Sequence, residues 1–381
     1  MKKNIFIKTL AFIILVLFSW EAYSQLQLEP VDPPQNKNIP DFYKSKLSDV
    51  EKEIAALKIG SSEVIATSPG GLPVYAVFYG EKEEFQKQAN YNSAVAARNT
   101  AYYAKKNKGT KPVLYIIGPV HGQEVEGVAG LVNLIHIAET GKDYRNIEWP
   151  VLSEYIKQCR VIIIPSGNPD GRKRCPYNSF VGIPTETMTK YGQGTKRDGA
   201  LWGWPDAKSM HPMKGDVGIL GAYFNDNGIN IMHDEFFSPM AEETKAIMEI
   251  AIEEVPDITV SLHSCECNPF IIQNSLAPVF MQKRIADLAF HLNQRYIKLK
   301  LPHMPESWVL KISNTDTIPP PKESFNLVSA LHYATGTMSF TFESPHGTVE
   351  DGATHDEIID IQLGLYEEMF GYITNKRLYW E

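Results

Sequence analysis

His121 and Glu124 stand three residues apart in the run Gly118-Pro119-Val120-His121-Gly122-Gln123-Glu124, so one helical or tight turn presents both side chains to the same side. Two ligands from one turn, joined by a distant His, make the two-histidine, one-carboxylate set of a catalytic zinc site, which keeps a fourth position for water. His263 closes an apolar run and is the best third ligand. Zinc draws the pKa of bound water from ~15.7 toward 7, and the reaction then needs a base that is not itself a ligand. Glu343, at the end of another apolar run, fits that role. Taken singly, each residue has an ordinary reading: a solvated His–Glu pair, a hydrogen-bonded core His, a surface or N-cap carboxylate. Their common position at the ends of apolar runs with glycine-rich flanks separates chemistry from coincidence.

The elements that must hold these residues are legible as periodic segments. Val113–Ile117, Val161–Ile164 and Ile258–Leu262 are short, continuous and rich in β-branched residues, the pattern of strands buried on both faces. They run into the His121 motif, into Asn168-Pro169-Asp170-Gly171 and into His263-Ser264. A fourth run, Met338–Phe342, ends in Glu343-Ser344-Pro345-His346-Gly347. Helical spacing marks Phe42–Leu57, Val125–Ala138, Ala241–Glu254, Val279–Leu292 and Glu357–Phe370, and two further strands, Glu63–Thr67 and Pro73–Tyr79, flank the turn Ser68-Pro69-Gly70-Gly71. Strands alternating with helices predict a largely parallel α/β sheet, whose sites gather beyond the carboxyl ends of its strands. Without an internal repeat or a second linker, residues 42–381 read as one catalytic domain.

Composition narrows the classes. With 43% hydrophobic residues among 381, the chain can bury a large core. Its 37 basic and 45 acidic residues give a net charge of −8 without a dense basic run, which argues against nucleic acid as a partner. Four Cys form no zinc-ribbon spacing and ten His form no His-Glu-x-x-His pair, so any metal rests on dispersed His and carboxylates. A serine hydrolase lacks its Gly-x-Ser-x-Gly elbow. At the amino terminus, Lys2, Lys3 and Lys8 precede the apolar run Thr9–Trp20 and the small-x-small Ala22-Tyr23-Ser24. Residues 1–24 read as a signal peptide, the run being short against the ~20 residues that span a bilayer, and residues 25–41 as a polar, Pro-rich linker. Export to the periplasm or the cell surface is expected, with no membrane span left in the mature chain. Cys159 and Cys175 are then equally open to pairing or to remaining buried thiols. In an extended strand Cys265 and Cys267 fall on the side of His263, and they read as buried thiols rather than ligands.

These motifs, with Ser68-Pro69-Gly70-Gly71-Leu72-Pro73, Ser238–Ala246 and Thr341-Phe342-Glu343, resemble the zinc metallocarboxypeptidase family in order and separation over about residues 42–374. The resemblance implies one α/β domain with a mixed, about eight-stranded sheet between helices. It implies that His121, Glu124 and His263 bind one Zn2+, and that Glu343 is general base and then general acid on a peptide or amide bond.

The chain also departs from the family pattern. An Asn-Arg pair that holds the substrate's terminal carboxylate becomes Met232-His233, and neither residue offers arginine's planar fork. Asn230 stands where an Asp usually orients the first zinc His; an amide oxygen accepts the same ring N–H without supplying charge. The family's active-site Tyr would fall on Pro321, with Tyr333 as a candidate replacement. The arginine that polarises the scissile carbonyl has no counterpart at its usual spacing, which leaves Arg172 and Arg174, ahead of Arg197, as candidates to steady an oxyanion or an anionic group. Asn168, Asp170, Arg197, Asn230, His233 and Tyr333 are the expected substrate-side residues. The aromatic, Gly- and Pro-rich stretch between Arg174 and Asn225 is expected to form a rim or lid. Loss of the Asn-Arg pair keeps two alternatives open: an amidohydrolase acting on a cell-wall peptide or an N-acyl amino acid, and a non-catalytic binding protein, which the intact ligands and base disfavour.

Overall fold

Alternation along β3 (Val113–Ile117) decides how the protein is layered. Leu114 and Ile116 join one apolar cluster, whereas Val113, Tyr115 and Ile117 join another, as successive side chains of a strand must. All five are buried, because helices cover both faces of the sheet. The computed structural model describes residues 38–82, 91–98, 109–305 and 324–375; the expected signal peptide and residues 25–37 of the linker lie outside them.

The remaining strands are β1 (Ser61–Thr67), β2 (Pro73–Tyr79), β4 (Arg160–Ile164), β5 (Ile258–Cys265), β6 (Phe270–Ile272) and β7 (Met338–Pro345). Among the described residues they form a seven-stranded sheet of order β1-β2-β4-β3-β5-β7-β6, one strand short of the expected eight. The four central strands β4, β3, β5 and β7 are parallel. The edges are antiparallel: β1 on β2, β2 on β4, and β6 on β7. The sheet is therefore mixed, and the protein is a single α/β domain.

The helices are α1 (Leu47–Ala55), α2 (Tyr91–Ala96), α3 (Val125–Thr140), α4 (Pro150–Gln158), α5 (Pro169–Arg174), α6 (Thr185–Gly192), α7 (Glu242–Glu254), α8 (Val279–Leu299), α9 (Leu327–Thr335) and α10 (His355–Asn375). One face of the sheet is covered by α3, α4, α8 and α10 through residues such as Leu131, Ile156, Leu288 and Ile361. The other is covered by α7 and α9 through Ile247, Ala251, Leu327 and Leu331. Each such Leu or Ile contributes ~1.5–3 kcal/mol relative to exposure. The expected helix from Phe42 begins only at Leu47, because residues 40–46 turn first, with Tyr43 N–H donating to Pro40 O at 3.0 Å. No helix among the described residues is long and apolar enough to cross a membrane.

Candidate metal centre

The His121 motif leaves β3 and enters α3 through a turn pressed against α5. A Cβ on Gly122 would lie 2.0 Å from the carbonyl carbon of Gly171, so only glycine allows that approach. Gly122 N–H donates to Ala222 O at 2.7 Å, and Glu124 occupies the N-cap position of α3. From the neighbouring strand β5, His263 projects two residues beyond Ser261, the register partner of Ile117.

These placements converge. His121 Nδ1 lies 2.7 Å from Glu124 Oε1, His263 Nδ1 lies 3.0 Å from Glu124 Oε2, and the two Nδ1 atoms are 3.2 Å apart. One ligand atom from each of the three buried residues lies within 4.8 Å of the other two. Donors on a tetrahedral zinc with bonds near 2.0 Å are ~3.3 Å apart. The outer nitrogens are occupied: His121 Nε2 is 3.2 Å from Asn230 Oδ1, and His263 Nε2 is 3.0 Å from Ser261 Oγ. An amide oxygen only accepts, so the His121 proton sits on Nε2 and its Nδ1 lone pair faces inward. The Tyr223 ring stacks on His121, with centroids 3.5 Å apart and planes at 14°.

The donor set fits a divalent cation. Burial pushes the His121 imidazole well below its usual range and brings His263 down to about 4, so both rings are neutral, as ligation requires. Burial also raises the Glu124 carboxyl well above its usual range. Its Oε2 is buried and accepts no hydrogen bond among the described residues, although a ring nitrogen is 3.0 Å away. A bound cation satisfies such an oxygen, and two imidazoles with one carboxylate suit zinc.

Glu343 lies on β7 directly opposite His263 in register. Burial raises its carboxyl to about 7; His263 opposes that rise and the Glu124 charge adds to it. Three residues on, His346 Nδ1 pairs with Glu126 Oε2 at 3.2 Å, both side chains buried. Burial would lower the His346 imidazole, but the Glu126 carboxylate prevails and holds it at about 9. This pair joins the end of the strand that bears Glu343 to the first turn of α3.

Several expected site residues do other work. Arg172 is buried, with its guanidinium on Ser45 O at 3.1 Å, Tyr177 O at 2.9 Å and Asn178 Oδ1 at 2.5 Å. Arg174 donates to Leu220 O at 3.1 Å and Gly221 O at 3.2 Å, and also to Phe224 O and Asp226. Neither matches the expected oxyanion role, because loop carbonyls engage both side chains. Arg197 is exposed on the turn closed by Lys196 N–H to Ala200 O at 2.7 Å. Asn168 caps α5 through Gly171 N–H at 2.9 Å and donates to Val120 O at 3.1 Å, buttressing the His121 turn. Asp170 accepts from Ser68 Oγ at 2.5 Å and from the N–H groups of Gly70 and Asp226, each at 3.1 Å. Both are buried scaffolding where substrate contacts were expected. Asn230 also turns inward: besides His121 it accepts from Met232 N–H at 3.0 Å. His233, half-buried, lies 3.5 Å from Ser324 Oγ, and burial followed by the Lys208 charge lowers it to about 3. Tyr333 donates its hydroxyl to Leu276 O at 3.2 Å, which engages the phenol expected to face substrate. The position of Pro321 lies outside the described residues.

Cys159 and Cys175 are buried free thiols. Cys265 and Cys267, expected as free thiols along a continuing strand, form a disulfide instead, since β5 stops at Cys265 and the chain turns. Tyr223 and Lys208 lie in the stretch expected as a rim or lid, but the Tyr223 stack on His121 and the His346–Glu126 pair were not expected. Only Ser261 carried a signal, since a residue two before His263 on a strand shares its face.

The fold and the His-Glu-His cluster define a zinc-hydrolase architecture. The profile of the zinc carboxypeptidase family, peptidase M14, matches residues 50–266, and the chain belongs to that family. Glu343 lies beyond the matched segment. Among solved structures the chain is similar to a metallo-carboxypeptidase from Burkholderia cenocepacia at 12% identity and a TM-score of 0.53, covering 86% of this chain and 68% of that one. It is also similar to a candidate carboxypeptidase from Burkholderia mallei ATCC 23344 at 12% identity and a TM-score of 0.54, covering 86% and 67%. A third likeness is to a candidate carboxypeptidase A from Shewanella denitrificans OS-217 at 14% identity and a TM-score of 0.53, covering 86% and 68%. At such identities the likeness speaks for the fold. No curated protein matches the chain by sequence.

Proposed function

We propose that this chain is an exported zinc carboxypeptidase that hydrolyses the last peptide bond of its substrate, with Glu343 as the proton carrier. The observation that carries this reading is the register pairing of Glu343 with His263, which sets an unliganded carboxyl beside the metal-binding triad. His121, Glu124 and His263 would hold the ion, which when bound polarises a carbonyl and acidifies water. Glu343 takes a proton from the attacking water as the new C–O bond forms. It returns that proton to the amine nitrogen as the C–N bond breaks, so it ends as it began. Burial raises this carboxyl toward neutral pH, which suits a group that must both take and return a proton. Asn230 and Ser261 hold the two imidazoles in orientation, and the Tyr223 ring supports one of them. Export rests on Lys2, Lys3 and Lys8, the apolar run Thr9–Trp20 and the small residues that follow.

A second reading, hydrolysis of an amide that carries no free terminal carboxylate, is favoured by Met232-His233 in place of the usual Asn-Arg pair. Purified zinc-loaded protein incubated with N-acylated peptides and their carboxamide twins separates the two. Cleavage confined to free carboxyl ends is the expected result, and equal rates on both would overturn exopeptidase action. Less than a tenth of an equivalent of zinc in the purified protein, unchanged by Glu124→Ala, would overturn the metal site itself.

A further inference from the structure

We propose that Lys208 supplies the cation that receives the substrate's carboxylate at this metal centre, in place of the arginine that Met232-His233 cannot replace. This deepens the carboxypeptidase reading and rests on it. Lys208 lies in the segment that sequence reasoning marked only as a rim.

Three observations place it. Lys208 closes a one-turn 3-10 helix, Asp206–Lys208, held by Ala207 N–H to Gly203 O at 2.8 Å and Lys208 N–H to Pro205 O at 2.9 Å. The turn is anchored on both sides to residues that touch His121. Ala207 is buried in an apolar cluster with Tyr223, whose ring stacks on His121. His211 Nε2 accepts from Asn230 N–H at 3.0 Å, and Asn230 holds His121 Nε2. The Lys208 ammonium is accordingly the one Lys or Arg charge, among the described residues, that ranks among the main influences on each of His121, Glu124, His263 and Glu343.

That charge is available. Lys208 has no ion-pair partner within 4.0 Å among the described residues, and its ammonium lies 5.5 Å from the centroid of the Trp204 ring. It feels the Glu343 and Glu124 carboxylates without pairing to either within 4.0 Å. Arg172 and Arg174 are bound to loop carbonyls, and Arg197 is exposed on its own turn. Lys208 is therefore the cation left to meet an anionic group on the substrate. A lysine offers a compact point charge without a bidentate fork, so it fits a carboxylate held by charge more than by geometry.

Binding can be read without turnover. In zinc-loaded Glu343→Gln protein, calorimetric titration with N-acylated tripeptides ending in Leu, Lys or Glu is compared with titration by their carboxamides. The expected result is about tenfold or greater preference for the free acid of at least one peptide, as one partly desolvated charge pair provides. Adding Lys208→Gln should abolish the preference, and adding Lys208→Arg should keep most of it. A preference that survives Lys208→Gln, or no preference and no binding in the parent, would overturn the proposal. Turnover adds a second reading on the otherwise wild-type enzyme: Lys208→Gln should raise KM for the acid about tenfold with kcat within about threefold. A loss of kcat at unchanged KM for acid and amide alike would instead assign Lys208 to the carbonyl oxygen and overturn the carboxylate role. Lys208-dependent acid binding in a protein that cleaves none of the peptides would reject the carboxypeptidase reading and leave Lys208 standing.

Discussion

His263 and Glu343 face each other in register on the parallel strands β5 and β7. Register partners on adjacent strands share a face of the sheet, so a ligand and a non-ligand carboxyl are held side by side by backbone hydrogen bonds rather than by loops. Such a rigid base should dominate the chemistry. Glu343→Gln is expected to keep one equivalent of zinc while kcat falls by about 10² to 10⁴. Metal analysis beside kinetics checks this, and near-wild-type turnover would remove the base assignment. Burial raises the Glu343 carboxyl to about 7 without a metal, and a bound dication favours its ionised form. The acid limb of kcat/KM should therefore rise at a pH below about 7 in the zinc-loaded enzyme.

Asn230 tests the support of the first ligand. Its Oδ1 accepts the His121 Nε2 proton at 3.2 Å, and loss of such a partner typically weakens metal binding by about 10- to 100-fold. Asn230→Ala should show that loss in competition with a zinc chelator. Asn230→Asp should recover affinity, since a carboxylate accepts the same proton and adds charge.

The buried His346–Glu126 pair makes stability depend on pH. His346 is held at about 9 in the folded protein, above the ~6.5 of an unfolded chain. Its contribution is therefore complete below about pH 6.5 and is lost as the pH rises through 9. His346→Gln should lower stability at pH 6 by about 3 kcal/mol, with a much smaller difference at pH 10. Urea midpoints for both proteins at the two pH values measure this, and a constant difference would show that the pair is not ionic.

At Gly122 a methyl group would meet the Gly171 carbonyl carbon at 2.0 Å. Backbone faces backbone here, so no side chain can move aside. Gly122→Ala is expected to cost about 1–3 kcal/mol and to displace the His121 turn, with zinc affinity falling alongside. Unchanged melting temperature and zinc binding would contradict the close approach.

The metal triad was legible because its parts are local. His121 and Glu124 share one turn, and His263 and Glu343 each stand where an apolar run meets polar residues. The central strands were legible for the same reason: a run such as Val113–Ile117 has no solvated face. Helix α9 and edge strand β6 carry weaker patterns. The three residues of β6 gain meaning only by pairing with β7, and α9 is bounded by the Asn326 cap and Gly336 at φ +78°.

Sequence alone determined the sheet's parallel centre, the longer helices packed on it and the residue types that meet at its edge, since burial and period act over a few residues. Tertiary structure decided which neighbours of that edge do chemistry. Arg172 and Arg174 carry the right charge at a plausible place, yet Ser45, Tyr177 and Asn178 engage the first, and the carbonyls of residues 220–224 with the Asp226 carboxylate engage the second. His346 meets Glu126 across 220 positions. Lys208 comes to the cluster only because Ala207 packs with Tyr223 and His211 holds Asn230. Such contacts depend on where loops fold back, and no spacing along the chain encodes the direction of a guanidinium or an ammonium group.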